Sequence, residues 1–196
     1  MNSRLFRAAV VSVMLPAFVA CAGMDDMLAK YNVTKQTVQS FEATTSTARR
    51  DAVYTDVTTV LVDRGFDIKV SNKDVGLIST EFKKFASNAA PGGPPFDYYL
   101  QIKATVRDAG GGKTLIRLSP IVKEQNRLNA AAFTEHELYY FEGAPEGVRA
   151  ADKGGWASAG QTLFNNVATE VGAKAGVPFD KMTRNVTSTK FNAMLN

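Results

Sequence analysis

The single histidine of the chain stands between two acidic residues, in Glu135-His136-Glu137, the nearest approach to a metal or acid–base site in this sequence. Side chains alternate between the two faces of a strand, so on a strand predicted over 133–143 both glutamates share one face and His136 points to the other. That geometry cannot bring all three to one metal ion, and a zinc-binding helix would need a second histidine one turn away. We therefore expect a structural or surface role for the triplet and no metal site.

Other catalytic patterns are also missing from the sequence. No G-x-S-x-G nucleophile elbow occurs. The stretch "AGGGKT" at 109–114 lacks the spacing of a phosphate-binding loop and falls between two predicted strands, which favours a hairpin turn. A hydrolase in which carboxylates such as Asp97 and Glu81 converge has no spacing to support it. We predict no catalytic residues, no cofactor and no enzymatic activity.

Cys21 is the only cysteine, so no internal disulfide is possible. The segment before it begins with Arg4 and Arg7, continues with an apolar run over 8–15 and is broken by Pro16. A basic head, a short apolar run and small residues at the end are typical of a secretory signal, and the run is too short to span a bilayer. The sequence thus predicts a signal peptide over 1–20.

The four residues Phe18-Val19-Ala20-Cys21 resemble the lipobox of bacterial lipoproteins. The resemblance implies cleavage after Ala20, acylation of Cys21 and, with Ala22 rather than aspartate after the cysteine, an outer-membrane destination. Several acyl chains make membrane binding stable where a single chain does not. We expect a lipid-anchored protein of the outer membrane that faces the periplasm.

Removal of the signal peptide also changes the charge balance. The full chain has a net charge of +4, and loss of Arg4 and Arg7 leaves 21 basic against 19 acidic residues, a net charge of +2. A nearly balanced chain with no dense block of lysine and arginine weakens a nucleic-acid interpretation. We predict no nucleic-acid partner; the expected partners are the membrane, through the lipid, and envelope proteins.

Hydrophobic periodicity organises the rest of the chain. Residues 21–46 are rich in threonine, serine and small side chains and read as a tether on which Val38 and Phe41 could dock. A helical stripe follows between Thr47, the expected N-cap, and Gly65, the expected end. Period-two alternation then predicts about five strands, with a proline- and glycine-rich loop at 86–97. A second helical stripe begins near Trp156 and ends at Gly176 and Pro178.

These elements predict an α+β fold with two layers, in which about five antiparallel strands carry two amphipathic helices on one face. The expected domain covers 47–176, and 177–196 form a C-terminal tail. The stretch "DAVYTDVTTVLVDRGFDIKVSNKDVGLISTEF" resembles the repeating unit of BamC-type (NlpB-like) outer-membrane lipoproteins. Its parallels are Gly65-Phe66, the turn 72–74 and the strand Gly76-Leu77-Ile78-Ser79-Thr80. The resemblance covers about 48–142 and implies a helix-grip-like domain, a role in envelope assembly and no catalytic residues.

Four aromatic side chains alternate with the predicted core positions and should point away from the helices. They are Tyr99, Phe133, Tyr139 and Phe141. Outward aromatic side chains on a polar face predict a partner-binding surface, unless the segment 22–46 or 179–196 covers them. The functional hypothesis is a non-enzymatic interaction or assembly module of the cell envelope. The alternative is a lipoprotein that binds a small apolar ligand beneath the loop 86–97.

Overall fold

The computed structural model describes residues 34–45, 49–88, 95–142 and 156–190. In chain order, its elements are β1 (Thr34–Thr45), α1 (Arg50–Asp63), β2 (Ile68–Asn72), β3 (Leu77–Thr80), β4 (Lys83–Asn88), β5 (Phe96–Gly110), β6 (Lys113–Asn126), β7 (Phe133–Glu142), α2 (Trp156–Lys174) and β8 (Thr183–Lys190). The signal peptide, Ala20 and Cys21 lie outside the described residues, as does Thr47, the expected N-cap.

The structure has an α+β fold with an open antiparallel sheet and two helices. The sheet contains eight strands in the order β2-β3-β5-β6-β7-β1-β8, with β4 also paired to β5. The expectation of about five strands was wrong, because β1, β4 and β8 were not foreseen. β1 lies within the expected tether and β8 within the expected tail, so the sheet extends beyond the predicted domain 47–176 at both ends.

β1 changes partners along its length. Its residues 41–45 pair with β6 and its residues 34–38 pair with β7, both antiparallel. β7 is itself antiparallel to β6, and β5 occupies the other edge of β6. β1 and β7 must therefore meet along one edge of β6 and turn away from it together, and β8 extends this ribbon by pairing with β1. The register against β8 shifts between Val38 and Ser40, a bulge that allows such a bend.

Both helices pack against the sheet around one buried core and contact each other, and the predicted α+β class with two helices is confirmed. The predicted stripe of α1 is buried, through Val53, Val57, Val60 and Leu61. Its N-cap is Arg49, whose side chain makes no capping hydrogen bond. At the helix ends, Gly65 and Gly176 have the positive φ values of 73° and 72° that glycine adopts readily.

The strand that follows the first turn is interrupted. β3 and β4 lie one after the other along the same edge of β5, separated by Glu81 and Phe82. The period-two pattern of Ile78 and Thr80 would predict an inner position for Phe82 as well, but the break puts Phe82 on the opposite face, beside Lys123. The predicted loop 86–97 also begins and ends inside strands, since β4 continues to Asn88 and β5 starts at Phe96.

A tight turn joins β2 to β3 and packs directly on β5. Gly76 has a φ of 68°, and a Cβ atom at this position would lie 1.9 Å from the carbonyl oxygen of Val106. The Val106 N–H donates to the Gly76 carbonyl at 2.8 Å, which brings the two backbones together. Arg50 at the start of α1 donates to the carbonyl oxygens of Lys73 and Asp74 and so ties the helix to this turn.

Candidate functional site

The face of the sheet opposite α1 and α2, called the outer face below, carries an aromatic cluster. We define this cluster as Phe82, Tyr99 and Phe133 around the ammonium group of Lys123. The Lys123 Nζ lies 5.4 Å from the Phe82 ring centroid, 5.1 Å from that of Tyr99 and 5.4 Å from that of Phe133. These distances fall within the range of cation–π attraction, so the lysine holds three rings from three different segments together.

Backbone pairing explains why these side chains meet. Tyr99 in β5 lies directly opposite Lys123 in β6, and Lys123 lies opposite Glu135 in β7. Phe133 starts β7 two residues earlier on the same face, and the break between β3 and β4 turns Phe82 toward it. Phe133 remains 54% exposed, so the cluster presents apolar surface to solvent at its outer rim.

Two members of the aromatic cluster, Tyr99 and Phe133, were predicted from the sequence, and Phe82 and Lys123 were not. Tyr99 and Phe133 lie around Lys123, whereas Tyr139 contacts Lys35, and the side chain of Phe141 is outside what the structure describes. The position of Lys123 could have been predicted, since it lies an even number of residues from the outward residues of β6 and therefore shares their face. The position of Phe82 could not be predicted, because the break between β3 and β4 turns its side chain to the other face of the sheet.

Tyr139 instead contributes to an open groove of about 810 Å³ where β1, β6 and β7 meet. The Lys35 Nζ lies 4.1 Å from the Tyr139 ring centroid, and the rings of His136 and Tyr139 are 5.6 Å apart. Phe96, Glu124 and Phe133 also line the groove. The groove therefore combines aromatic walls with side chains of both charges.

The sole histidine of the chain, His136, also lies in this groove. Its Nδ1 is 2.9 Å from the Glu137 carbonyl oxygen, and its Nε2 is 3.9 Å from Glu124 Oε2, beyond hydrogen-bonding distance. His136 shares a face with Val122, while Glu135 and Glu137 are exposed on the other, which confirms the predicted split of the triplet. Among the described residues, no group of three histidine, cysteine, aspartate or glutamate side chains is placed to hold a metal ion.

Asp97 and Glu81, the two carboxylates considered for a hydrolase, do not form a joint site. Glu81 faces Lys69 at 3.7 Å. Asp97 accepts hydrogen bonds from Lys84 at 2.9 Å and Ser87 at 2.8 Å, and the Arg127 Nε lies 3.4 Å away. The hydrogen bond from Lys84, more than that from Ser87 and the nearby positive charges, lowers the pKa of Asp97, although burial opposes the shift. Asp97 thus works as an ionic link between β4 and β5.

A second polar network lies further along the outer face. Glu42 Oε1 accepts hydrogen bonds from Arg117 Nε at 2.6 Å and from Asn185 Nδ2 at 2.9 Å. Asn185 also donates to the Ser40 hydroxyl at 2.9 Å, and the three strands β1, β6 and β8 are joined in this way. These bonds from Arg117 of β6 and Asn185 of β8 tie the Glu42 carboxylate to two neighbouring strands, which indicates a structural role.

None of the described helices is both long enough and apolar enough to cross a bilayer. No protein-family model matches the chain, and no curated protein matches it. Among solved structures, it is similar to a DUF4468 family protein from Bacteroides ovatus ATCC 8483, with a TM-score of 0.44 and 15% sequence identity over 77% of this chain and 90% of that one.

Proposed function

We propose that the protein is a lipoprotein anchored by Cys21 to the outer membrane, where it faces the periplasm as a non-enzymatic interaction or assembly module of the cell envelope. The observation that carries the proposal is the aromatic cluster on the outer face. The lipobox resemblance supplies the location, and the lipid would keep the domain concentrated near membrane-bound partners.

The aromatic cluster has properties suited to docking a protein. Aromatic side chains are enriched at the centres of interfaces, where a few of them supply most of the binding energy. Tyr99 and Lys123 stand on β5 and β6, which are paired with strands on both sides, so the backbone beneath them is rigid. Because Lys123 already orders the rings, little side-chain freedom would be lost when a partner binds.

The alternative, a binder of small apolar ligands, receives less support. Leu100, Ile102, Ala104 and Val106, which face the helices from β5, have no accessible surface. Side chains that a water-sized sphere cannot touch border no cavity large enough for a ligand. This part of the core is filled, which counts against a ligand held between helices and sheet.

The proposal includes a helix-grip-like fold and a relationship to BamC-type lipoproteins. An amphipathic helix followed by antiparallel strands, with both helices against one face, supports a helix-grip-like description. A relationship to BamC-type lipoproteins rests on the sequence pattern around Gly65 and Gly76. The proposed assembly role follows from that resemblance and from the aromatic cluster together.

Site-specific photo-crosslinking in cells tests the docking surface. A photoreactive amino acid at Tyr99 or at Phe133 should give discrete protein adducts in the membrane fraction. The matched control is Val62, which is 53% exposed on α1, on the opposite side of the sheet. Adducts at Val62 but not at Tyr99 and Phe133 would place the partner surface on the helical side and refute the docking proposal.

The anchor has a separate test. Cys21→Ser should leave the precursor uncleaved by the lipoprotein signal peptidase and unlabelled by a palmitate analogue. Ala22→Ser is the matched control, because it makes a small substitution next to the cysteine and keeps the thiol. Normal membrane attachment of the Cys21→Ser protein would show that the lipobox assignment is wrong.

A further inference from the structure

The connection between β6 and β7 displays apolar side chains at one end of the molecule. We call residues 126–132 the apical turn. Leu128 within it is 78% exposed, and Phe133 directly after it is 54% exposed. Exposed alanines at 130–132 separate the two, and the turn contains one cation, Arg127, and no acidic residue. Exposed single hydrophobic residues are common, but here a leucine, three alanines and a phenylalanine are exposed within six consecutive residues, 128–133.

The backbone of the apical turn is hydrogen-bonded within the protein. Backbone N–H groups of six of its seven residues donate to protein oxygens. Asn126 Oδ1 accepts from the Leu128 N–H at 2.8 Å, and Asn129 Oδ1 accepts from the Ala131 N–H at 3.2 Å. A segment with satisfied polar groups can enter a water-poor region at a lower cost than an open loop. The turn therefore exposes the Leu128 side chain while its backbone N–H and those of most neighbouring residues are hydrogen-bonded.

The start of β1 pairs with the Glu142 end of β7 and faces the apical turn across the open groove. Lys35, next to the first residue of β1, lines the same groove as Ala132 and Phe133. Twelve residues separate Cys21 from Thr34, and a chain of this length reaches at most about 45 Å from its anchor. An anchor at Cys21 thus leaves the apical turn within reach of the membrane but does not by itself choose an orientation.

We infer that the apical turn rests on the lipid surface to which the chain is anchored, with Leu128 inserted among the headgroups and Phe133 at the edge of the contact. For the natural anchor, this inference rests on the proposed lipidation of Cys21. Insertion stops at the turn, because charged side chains begin again at Glu124 and Glu135 on the adjoining strands. The contact would fix which way the aromatic cluster faces along the membrane.

The test uses the chain from Cys21 onwards, which retains every described residue and a single thiol. That thiol is coupled to a maleimide-bearing lipid in phosphatidylethanolamine–phosphatidylglycerol vesicles, so the anchor does not depend on cellular processing. Leu128→Trp is compared with Val75→Trp, since Val75 is 60% exposed on the turn between β2 and β3. That turn lies about 30 Å from the apical turn along the sheet. Trp156 supplies the same background emission in both variants and in the parent.

Emission of Leu128→Trp should shift to the blue and lose intensity when the vesicles carry lipids brominated near the headgroup, whereas Val75→Trp should match the parent. In a second measurement, Leu128→Asp should lower the hydrogen-exchange protection of 127–132 that vesicle coupling confers on the parent. Equal quenching of the two tryptophan variants, or no protection in the parent, would overturn the inference. Failure of palmitate labelling at Cys21 in cells would instead refute the proposed anchor and leave the vesicle result standing.

Discussion

The two faces of β5 are built on different principles although the residues alternate along one strand. Toward the helices, Leu100 and its neighbours of the same parity have no accessible surface. Toward the outer face, Tyr99 is half-buried, and the polar side chains of Asp97 and Gln101 are buried at 8% and 6% exposure. One face is closed by apolar packing, and the other is ordered by polar bonds around an aromatic cluster.

Polar bonding holds the side chains of the outer face in place, where neither of the two described helices packs. Gln101 Nε2 donates to the Thr80 carbonyl at 2.7 Å, and Asp97 is held by Lys84 and Ser87. A satisfied hydrogen bond contributes about 1 kcal/mol, whereas a buried leucine contributes about 2–3 kcal/mol through burial and packing. The inner face therefore contributes more to stability than the outer face does.

The largest difference in stability is expected between substitutions at two adjacent residues of β5, Leu100 and Tyr99. Leu100→Ala removes a fully buried side chain and should lower the free energy of unfolding by about 3 kcal/mol, since the cavity cannot collapse completely. Tyr99→Ala should lower the free energy of unfolding by about 1 kcal/mol or less, because Tyr99 is only half-buried and loses little besides its cation–π contact with Lys123. Urea denaturation followed by circular dichroism measures both.

In crosslinking to a partner, the order of the two variants should be reversed, and Tyr99→Ala should have the larger effect. With the photoreactive residue at Phe133, Tyr99→Ala should reduce the adduct strongly, and Leu100→Ala should leave it intact at temperatures where the variant is folded. If Tyr99→Ala proved as destabilising as Leu100→Ala, the outer face would be part of the core, and the contrast between the faces would be wrong.

Strand parity in the middle of the sheet could be predicted from the sequence because the strands alternate regularly there. β5, β6 and β7 keep strict period two, and both helices have clear stripes, so these elements were recognised. β8 could not be recognised because Val186 is its only strongly apolar residue. β1 could not be recognised because the bulge between Val38 and Ser40 puts Val38 and Phe41 on one face at odd spacing. Both strands depend on each other and on β7, which no local pattern records.

The same limit applies to the aromatic cluster. Tyr99 and Phe133 were predicted to face outward because each position follows from the alternation within its own strand. The convergence of Lys123 on their rings depends on the register between β5 and β6, which joins Tyr99 to Lys123 across the sheet. Phe82 depends further on a strand break. Pairing register and breaks are tertiary information, so the sequence could predict the members of a face but not the contacts between them.

Asp97→Asn should have an intermediate effect that depends on pH. The carboxylate stabilises the fold in its ionised form, because Lys84 lowers its pKa below the ordinary value of 3.8. Its contribution is therefore complete at neutral pH and is lost as the pH falls through the lowered pKa of the folded state. The variant should be less stable by about 1–2 kcal/mol at pH 7, with partial exposure of Lys84 limiting the loss.

The measurement is urea denaturation of Asp97→Asn and the parent between pH 7 and pH 2.5. The two stabilities should converge only at acidic pH, as Asp97 in the parent becomes protonated. Glu135→Gln is the matched control, since Glu135 is an exposed carboxylate on the same face; its stability should follow that of the parent throughout. A constant difference between Asp97→Asn and the parent down to pH 2.5 would show that the charge of Asp97 is not what links β4 to β5.

The smallest expected effect concerns the charge at the centre of the aromatic cluster. Lys123→Met keeps a long unbranched side chain over the rings of Phe82, Tyr99 and Phe133 but removes the ammonium group. Loss of the cation–π attraction should lower stability by about 0.5–1 kcal/mol, whereas Lys103→Met, at an exposed lysine on the same face of β5, should change it less. Because a neutral side chain avoids the cost of partly burying a charge, a more stable Lys123→Met protein would show that desolvation outweighs the attraction. In that case the lysine would be present for recognition and not for stability, and Lys123→Met should weaken the crosslink at Phe133 even though the fold is strengthened.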